Sequence, residues 1–412
     1  MLETAYMDAR YAGTEANTET ASSYSEIPAE SALSRAERIA SDVLAQYADD
    51  VDQRARFPHE ALSALRSAKL LSAAIPKDFG GLGCAVPALS KICTALARRC
   101  AATAMIAAMH YGQTYMLSRH SRASPYLRNR LEHISGHQLL VASATSEVGV
   151  RDIGTSRAAL VCENERFQLE KRCSVLSYAE YTDEILATGR RSPAAAASDQ
   201  LFVLLSKDQF ELRDLGAWNS LGMRGTCSPS ATLRARGSTE QILPASYREI
   251  AERSMIPISN VLWSSVWLGI AEAAFATAHK RVQMSDASAT LGEIPGSRRL
   301  AQTASALQLM RNNVVSTAGD CESDHSLTQE YTEERVIALI VRTNSLKVAS
   351  SELVWRICHK CLSICGVAGY VNSSPFSLGR HLRDSLSAAL MLGNDRIEAT
   401  NAALLLLHLE TP

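Results

Sequence analysis

The sequence lacks long apolar runs, and no stretch approaches the roughly 18 uninterrupted apolar residues of a membrane-spanning helix. Residues 1–26 contain neither the basic segment nor the apolar segment of a secretory signal. These two absences argue against membrane spanning and against secretion. The expected location is therefore the cytoplasm.

The sequence also lacks an excess of either charge. Its 42 basic residues stand against 43 acidic ones, and the basic residues are spread along the chain rather than clustered. Nucleic acids and anionic membranes attract clustered basic side chains, so neither is expected as a partner. A small molecule is the ligand class that remains.

Cysteine is plentiful, but its spacing favours packing over metal binding. Cys358, Cys361 and Cys365 resemble part of a metal site. However, Leu346, Ala349, Leu353, Ile357 and Cys361 continue one helical stripe at steps of three and four. The sequence therefore predicts buried cysteines and no metal.

Hydrophobic periodicity divides the 412 residues into four parts. Residues 1–28 have almost no aliphatic side chains, which predicts a disordered tail. Residues 29–138 have a helical period, and residues 139–245 have strand patterns such as the apolar run Leu201–Ser206. In residues 246–412 the helical period returns in four long amphipathic segments, which predicts a helix bundle.

Four motifs occur in order along these parts. They are "FPHEALSALRSAKLL" with "IPKDFGGLG", then "WNSLGMRGTCSPSATL", then "LGIAEAAFATAHKRV", and finally "GVAGYVNSSPFSLGRHLRD". Together they resemble the flavoproteins of the acyl-CoA dehydrogenase superfamily. The resemblance implies an α+β fold with an N-terminal helical domain, a middle β-barrel domain and a C-terminal four-helix bundle.

The resemblance also implies a flavin, with FAD expected and FMN as the alternative. The segment "ATSEVGVRD" corresponds to the family's flavin-facing strand end, so Thr145 and Ser146 are expected beside the ring. Val175 falls where an aromatic residue usually covers the ring. Ser177 falls where a hydroxyl donates to the flavin N5 edge.

For the dinucleotide part of FAD, the resemblance points to the bundle. Gly366 and Gly369 match a glycine turn that approaches the dinucleotide, and Asn394 replaces a phosphate-contacting Thr. Arg299 and Arg396 are the candidate diphosphate ligands. Because the family completes this site with a neighbouring subunit, a homo-oligomer, either a dimer or a tetramer, is expected.

The catalytic base of the dehydrogenases has no counterpart at either of its usual places. One place is Leu392, eight residues after an Arg-Asp pair, and the other is Ser259. Neither side chain is a carboxylate, so neither can take the substrate α-proton. Asp395, Glu398 and Glu272 are weak candidates for a relocated acid.

Three functions follow from the resemblance. Oxidation of an acyl thioester, bound to CoA or to a carrier protein, is expected in a specialised biosynthetic pathway, such as that of a secondary metabolite, with an electron acceptor or flavin reductase as partner. The first alternative is a monooxygenase of the same fold that uses reduced flavin and O₂. The second is a catalytically degenerate binding or structural protein. His110, at the end of a helical segment, is expected to be a core histidine rather than a pocket residue.

Overall fold

The computed structural model describes residues 30–284, 296–324 and 332–408. From Ala32 onward the described residues form one compact unit. The predicted tail, residues 1–28, lies outside the described residues. The predicted boundaries after residues 138 and 245 stay predictions.

Helices make up the region before the sheets, as the helical period predicts. The first two are separated only by a π-helical turn, Ala40–Leu44, and so continue one another. The last begins at Pro125 and is capped by the Ser124 hydroxyl, which accepts a hydrogen bond from the Leu127 amide. The helices are α1 (Ala32–Ile39), α2 (Ala45–Arg54), α3 (His59–Ser67), α4 (Val86–Ala97), α5 (Ala101–His120) and α6 (Pro125–His137).

The middle region contains two sheets. In the first sheet β4 lies between β1, which runs parallel to it, and β5, which runs antiparallel. The second sheet is antiparallel, with the order β2, β3, β7, β6. The strands are β1 (Val141–Ala144), β2 (Val161–Glu163), β3 (Arg166–Cys173), β4 (Glu184–Arg190), β5 (Gln200–Ser206), β6 (Phe210–Arg213) and β7 (Ala231–Ser238).

The burial of these strands follows their sequence patterns. The apolar run Leu201–Leu205 is buried along its whole length, and β3 alternates between exposed and buried residues. The α+β fold class is confirmed, but across residues 139–245 the two sheets do not close into the expected barrel. Strands β2 and β6, at the edges of the second sheet, have only three and four residues, which leaves little backbone for closure.

Four long helices follow the sheets, which confirms the predicted C-terminal bundle. Helix α7 leads through a second π-helical turn, Ala251–Met255, directly into α8. The helices of this region are α7 (Tyr247–Ile250), α8 (Ile256–Gln283), α9 (Ser297–Asp324), α10 (Glu333–Cys365), α11 (Val367–Tyr370), α12 (Gly379–Leu386) and α13 (Asn394–His408).

Helix α8 lies at the centre of the molecule, against α4 and α5 on one side and α9 and α10 on the other. Gly269 permits the crossing with α4, because a Cβ there would lie 2.5 Å from the Thr94 carbonyl oxygen. The Ser90 and Ser265 hydroxyls bond across the same crossing at 2.7 Å. The continuous helical stretch Tyr247–Gln283 is long and apolar enough to cross a membrane, but 72% of its most apolar window is buried inside the fold.

A clasp between Asp384 and the loop before β7 joins the bundle to the sheets. The Asp384 carboxylate accepts a hydrogen bond of 2.6 Å from the Met223 amide. Burial raises the pKa of Asp384 to about 6, and the Met223 hydrogen bond opposes that rise. Arg383 forms an ion pair with Asp52 of α2, so the Arg-Asp pair connects all three regions.

The cysteines predicted to pack in the bundle lie in its core. Cys358 and Cys361 have no exposed surface and Cys365 is 4% exposed. Burial raises the pKa of all three thiols above the ordinary value. In the three described ranges, no group of His, Cys, Asp and Glu side chains is arranged to hold a metal ion.

His110 is a buried, hydrogen-bonded core residue in α5. Its Nε2 donates to the Leu71 carbonyl oxygen at 2.6 Å, and its Nδ1 accepts from the Val141 amide at 3.0 Å. Burial lowers its pKa to about 4, although the two backbone hydrogen bonds oppose that shift. The residue therefore joins α5 to β1 as a neutral imidazole.

We expect His110 to make stability depend on pH. Unfolding returns the pKa to about 6.5, so the unfolded chain takes up the proton first and stability falls as pH drops from about 6.5 towards 4. Between pH 7.5 and 5 the wild type should lose about 2 kcal/mol more unfolding free energy than His110→Ala. Urea unfolding of both proteins at the two pH values measures the difference. An equal loss in the two proteins would contradict it.

Gly222 allows the loop to approach α12. A Cβ on Gly222 would overlap the Arg383 carbonyl oxygen and lie 2.7 Å from the Asp384 amide nitrogen. Because backbone cannot move aside as a side chain can, we expect Gly222→Ala to cost about 2 kcal/mol or more of unfolding free energy. Gly319→Ala in α9, where nothing lies within 4 Å, should be neutral or stabilising by up to about 1 kcal/mol. Thermal unfolding of both variants tests the contrast.

Candidate active site

A cavity of about 450 Å³ lies where α5, α8, the loop before β7 and the segment after α12 meet. We call it the central cavity. Its walls are mainly apolar side chains and hydroxyl groups. The lining residues are Met105, Met109, Ser146, Val175, Ser177, Trp218, Ser220, Leu221, Gly222, Met223, Thr226, Ser228, Trp263, Arg383, Leu386, Ser387, Leu390, Met391 and Leu392.

The central cavity has almost no ionisable lining. Among the described residues, Arg383 is its one charged side chain, and that guanidinium forms an ion pair with Asp52. No carboxylate and no imidazole from the described ranges reaches its wall. Proton abstraction by a side chain therefore has no candidate group here.

Three of the four residues predicted to lie beside a flavin ring line this cavity. They are Ser146, Val175 and Ser177, whereas Thr145 does not line it. The Ser146 hydroxyl donates to the Val175 carbonyl oxygen at 2.6 Å and accepts from the Val175 amide at 3.2 Å. Ser146 thus fixes the backbone of Val175 at the cavity wall.

Ser177 has a hydroxyl that is available to a ligand. It accepts a hydrogen bond of 2.9 Å from the Ser228 hydroxyl, which also bonds to the Thr226 hydroxyl at 2.9 Å. Within the described residues, no acceptor for the Ser177 O–H is present. All three residues line the cavity, so this row of hydroxyls can present a donor to a bound molecule.

Two charged residues support the wall from behind. Glu147 accepts hydrogen bonds from the Ser156 hydroxyl and from the amides of Arg157 and Ala158. Lys171 is buried, and its ammonium donates to the carbonyl oxygen of Thr145 at 3.2 Å. Burial lowers the pKa of Lys171 to about 8, and the nearby Cys173 and Glu147 oppose that shift.

The two positions predicted for a catalytic base carry Leu392 and Ser259, and the structure places them in different surroundings. Leu392 lines the central cavity, and its φ of 58° lies in the left-handed region that a leucine rarely adopts. Gly393, with φ of 53°, continues this turn into α13. Ser259 is buried beside Gly112 and does not line the cavity.

The three candidate acids do not reach the cavity. Asp395 and Glu398 are exposed on α13. Glu272 is buried, and its carboxylate accepts hydrogen bonds from Arg98 at 2.5 Å and from Arg311 at 2.8 and 3.0 Å. Glu272 lines a different pocket, so a relocated base finds no support in this geometry.

The residues predicted to hold the dinucleotide lie away from the cavity in this single chain. Gly366 lies at the end of α10 and Gly369 in α11, and Arg299 and Arg396 are exposed. The Asn394 side chain bonds within the bundle, where it accepts from the buried Lys347 ammonium at 2.8 Å and shares two hydrogen bonds with Ser351. Their roles stay predictions.

Several lining residues were not identified from the sequence. Met105 and Met109 are four residues apart on α5, which places both on one face of the helix. Core residues of a helix have the same spacing, so the sequence does not distinguish the two cases. Trp218 belongs to the motif "WNSLGMRGTCSPSATL", but the motif alone does not show that its side chain lines a cavity. Trp263 of α8 and Leu390 reach the cavity only through tertiary packing, which has no local sequence signal.

Sequence comparison gives relatives of two kinds. The amino sugar nitrososynthase DnmZ of Streptomyces peucetius is 24% identical over 364 residues, which cover 83% of this chain and 84% of that protein. The probable acyl-CoA dehydrogenase fadE25 of Mycobacterium leprae is 32% identical over 123 residues, 30% of each protein.

Solved structures have the same fold. FMN-bound TdsC, a dibenzothiophene monooxygenase from Paenibacillus sp. A11-2, superposes with a TM-score of 0.81 at 19% identity, covering 92% of this chain and 98% of that one. Butyryl-CoA dehydrogenase from Megasphaera elsdenii gives a TM-score of 0.77 at 18% identity, covering 91% of this chain and 97% of that one.

Two family models match the parts of the chain on either side of the sheets. The model of the acyl-CoA dehydrogenase N-terminal domain matches residues 29–124, and that of the C-terminal domain matches residues 256–405. The two matches together span more than half of the sequence and agree with the helices before and after the sheets. The chain therefore belongs to the acyl-CoA dehydrogenase family.

Proposed function

We propose that this protein is a flavin-dependent monooxygenase that oxidises a nitrogen or sulfur atom of a small molecule. The observation that carries the proposal is the lining of the central cavity, where Leu392 stands at the usual base position and the described residues supply no carboxylate or imidazole. α,β-Dehydrogenation needs a group that removes the α-proton. Oxygen transfer to a heteroatom lone pair does not.

The central cavity fits the ring of a flavin. Its volume of about 450 Å³ lies in the range of cofactor and ligand pockets, and its mainly apolar walls suit a flat heterocycle. Ser177 offers an O–H to the polar edge of such a ring. A reduced flavin would supply the electrons that activate O₂, with FAD expected and FMN as the alternative.

The protein's own part is to position the substrate and exclude water. Trp218 and Trp263 contribute large apolar surfaces to the wall, and Met105 and Met109 add flexible ones. A dry cavity protects a reactive oxygen species from unproductive decay in water. The clasp of Asp384 and Met223 attaches the loop before β7 to α12 at this wall.

The comparisons favour nitrogen as the oxidised atom. One relative, which matches 83% of this chain, is an amino sugar nitrososynthase. A structural neighbour with a TM-score of 0.78 and 21% identity, KijD3, is described in complex with dTDP. A substrate amine, such as one on a sugar, is accordingly the first class to test. A specialised biosynthetic pathway, as inferred from the sequence, agrees with such a substrate.

Oxidation of an acyl thioester, on CoA or on a carrier protein, is the second candidate. The 32% identity to fadE25 over 123 residues favours it. The expected partners differ accordingly, with a flavin reductase for oxygenation and an electron acceptor for dehydrogenation. The cytoplasmic location stays a prediction for either activity.

A homo-oligomer is proposed for both activities. Val367 and Tyr370 are each 78% exposed and lie beside Gly366 and Gly369, the residues predicted to complete a neighbouring FAD site. Together with Val371, which is 42% exposed, they form a small apolar surface for another chain to cover. The size of the assembly, dimer or tetramer, remains a prediction.

The purified full-length protein distinguishes the two activities. We expect reduced flavin, O₂ and an amino sugar substrate to give product that contains oxygen from isotopically labelled O₂, read by mass spectrometry. Oxidised, flavin-loaded protein mixed with acyl-CoA under anaerobic conditions should keep its flavin colour. Bleaching of that colour by the thioester, without oxygen incorporation, would replace the proposal with dehydrogenation. Failure to bind any flavin would refute both activities.

Ser177→Ala should weaken flavin binding. The variant loses one hydrogen bond to the ring but no apolar contact, so we expect the dissociation constant to rise about three- to tenfold. Flavin fluorescence titration measures it. Ser305→Ala, which removes an exposed hydroxyl on α9, is the matched control and should bind as the wild type does. Equal affinities in all three proteins would show that Ser177 does not contact the flavin.

A further inference from the structure

A second cavity, of about 590 Å³, lies between the end of α4, the second half of α8, helix α9 and the segment leading into α12. We call it the basic pocket. None of its lining residues belongs to the central cavity. Its charged lining residues are Arg98, Arg99, Glu272, Lys280, Arg311 and Arg380.

The basic pocket carries a strong local charge in a nearly neutral chain. Five cationic side chains stand against the single carboxylate of Glu272, whereas the whole sequence has a net charge of −1. Like charges brought together around one concave space repel each other, and a bound anion lowers that repulsion. The concentration of charge therefore points to an anionic ligand.

Glu272 organises two of the cations without neutralising the pocket. Its carboxylate side chain is 8% exposed and accepts hydrogen bonds from both Arg98 and Arg311. The two arginine side chains remain 48% and 42% exposed, and neither guanidinium uses all five of its N–H groups on Glu272, so each has N–H groups left for a ligand. The carboxylate thus fixes the direction of two arginine forks.

Of the three other cations in the basic pocket, one is bound to protein groups in the described ranges and two are not. Arg380 donates to the Arg99 carbonyl oxygen at 2.7 Å and lies 3.2 Å from Asp49, which ties the end of α4 to α12. Arg99 and Lys280 are exposed, and among the described residues neither side chain has a hydrogen-bond or ion-pair partner. These two cations are available to a ligand.

The pocket also contains polar and aromatic groups that suit more than a simple ion. The buried Nδ1 of His381 has no hydrogen-bond partner in the described part of the chain. Phe275 and Phe376 provide flat apolar surfaces in the same wall. A volume of about 590 Å³ exceeds the needs of one phosphate and falls in the range of small-molecule pockets.

We propose that the basic pocket binds a diphosphate group, carried by a nucleotide or present as free pyrophosphate. The paired forks of Arg98 and Arg311 and the free cations of Arg99 and Lys280 surround one space, which matches several negative charges on adjacent phosphates. The inference is independent of the chemistry in the central cavity. It assigns to this protein a second ligand site on another side of α8.

Isothermal titration calorimetry of the full-length protein with ADP and with pyrophosphate tests the proposal. We expect binding at low ionic strength that weakens as salt is added. The double variant Arg99→Ala/Lys280→Ala should raise the dissociation constant roughly tenfold or more, because two charged contacts to phosphate are lost. Absence of binding of both probes to the wild type would overturn the proposal.

A matched control distinguishes the loss of cations in the basic pocket from the loss of positive charge elsewhere on the surface. Lys91→Ala/Arg236→Ala removes two exposed cations that do not line the basic pocket and should bind both probes as the wild type does. If the control and the pocket variant lose affinity equally, the proposal is wrong. Circular dichroism and thermal unfolding of each variant confirm that the fold is intact.

Phe376→Ala distinguishes the two sources of the diphosphate. A nucleotide ligand requires that ADP bind more tightly than pyrophosphate and that the variant remove this advantage, since the base would stack on the ring. Equal binding of the two probes, unchanged in the variant, supports a diphosphate recognised without a base. Both outcomes retain the diphosphate site.

Discussion

The contact between Asp384 and the loop before β7 is the constraint on which the candidate active site depends. The buried Asp384 carboxylate accepts a hydrogen bond from the Met223 amide. Because Gly222 has no side chain, the backbone of this loop can approach the backbone of α12. The adjacent Arg383 reaches Asp52 of α2, so helices, sheet loop and bundle meet at one pair of residues. These three regions line the central cavity, and they cannot separate there without leaving charges unpaired in a buried place.

The carboxylates of the clasp and of the neighbouring basic pocket are already paired with protein groups. Asp384 and Asp52 are occupied by the Met223 amide and by Arg383, and Glu272 is held by two arginines. A carboxylate with such partners is poorly placed to accept a substrate proton. Leu392, held at a positive φ, adds an apolar side chain to the cavity wall at one of the two positions predicted for a base. The cavity therefore suits a reaction in which oxygen, rather than a protein base, acts on the substrate.

Much of this fold is predictable because its signals are local. The long amphipathic helices and the buried run of β5 follow from periodicity. Ser146, Val175, Ser177 and Leu392 came instead from the resemblance to a family, and the structure brings them to one cavity although up to 246 residues separate them. The parallel pairing of β1 with β4, the open sheets and the contribution of Trp263 are tertiary facts without a local pattern. The basic pocket also cannot be predicted from the sequence, because its cations come from four distant segments and are dispersed along the chain.

Helix α8 determines how the two cavities are related. Trp263 lines the central cavity and Glu272 lines the basic pocket, and their separation of nine positions corresponds to about two and a half helical turns. The two side chains thus project from opposite faces, about 13 Å apart along the axis. Gly269 lies between them, where the close crossing with α4 holds the helix in place. A cavity with a single charged lining residue and a strongly cationic pocket therefore lie on opposite faces of one clamped helix, so the charge proposed for a ligand of the basic pocket would lie on the other side of α8 from the apolar walls of the central cavity.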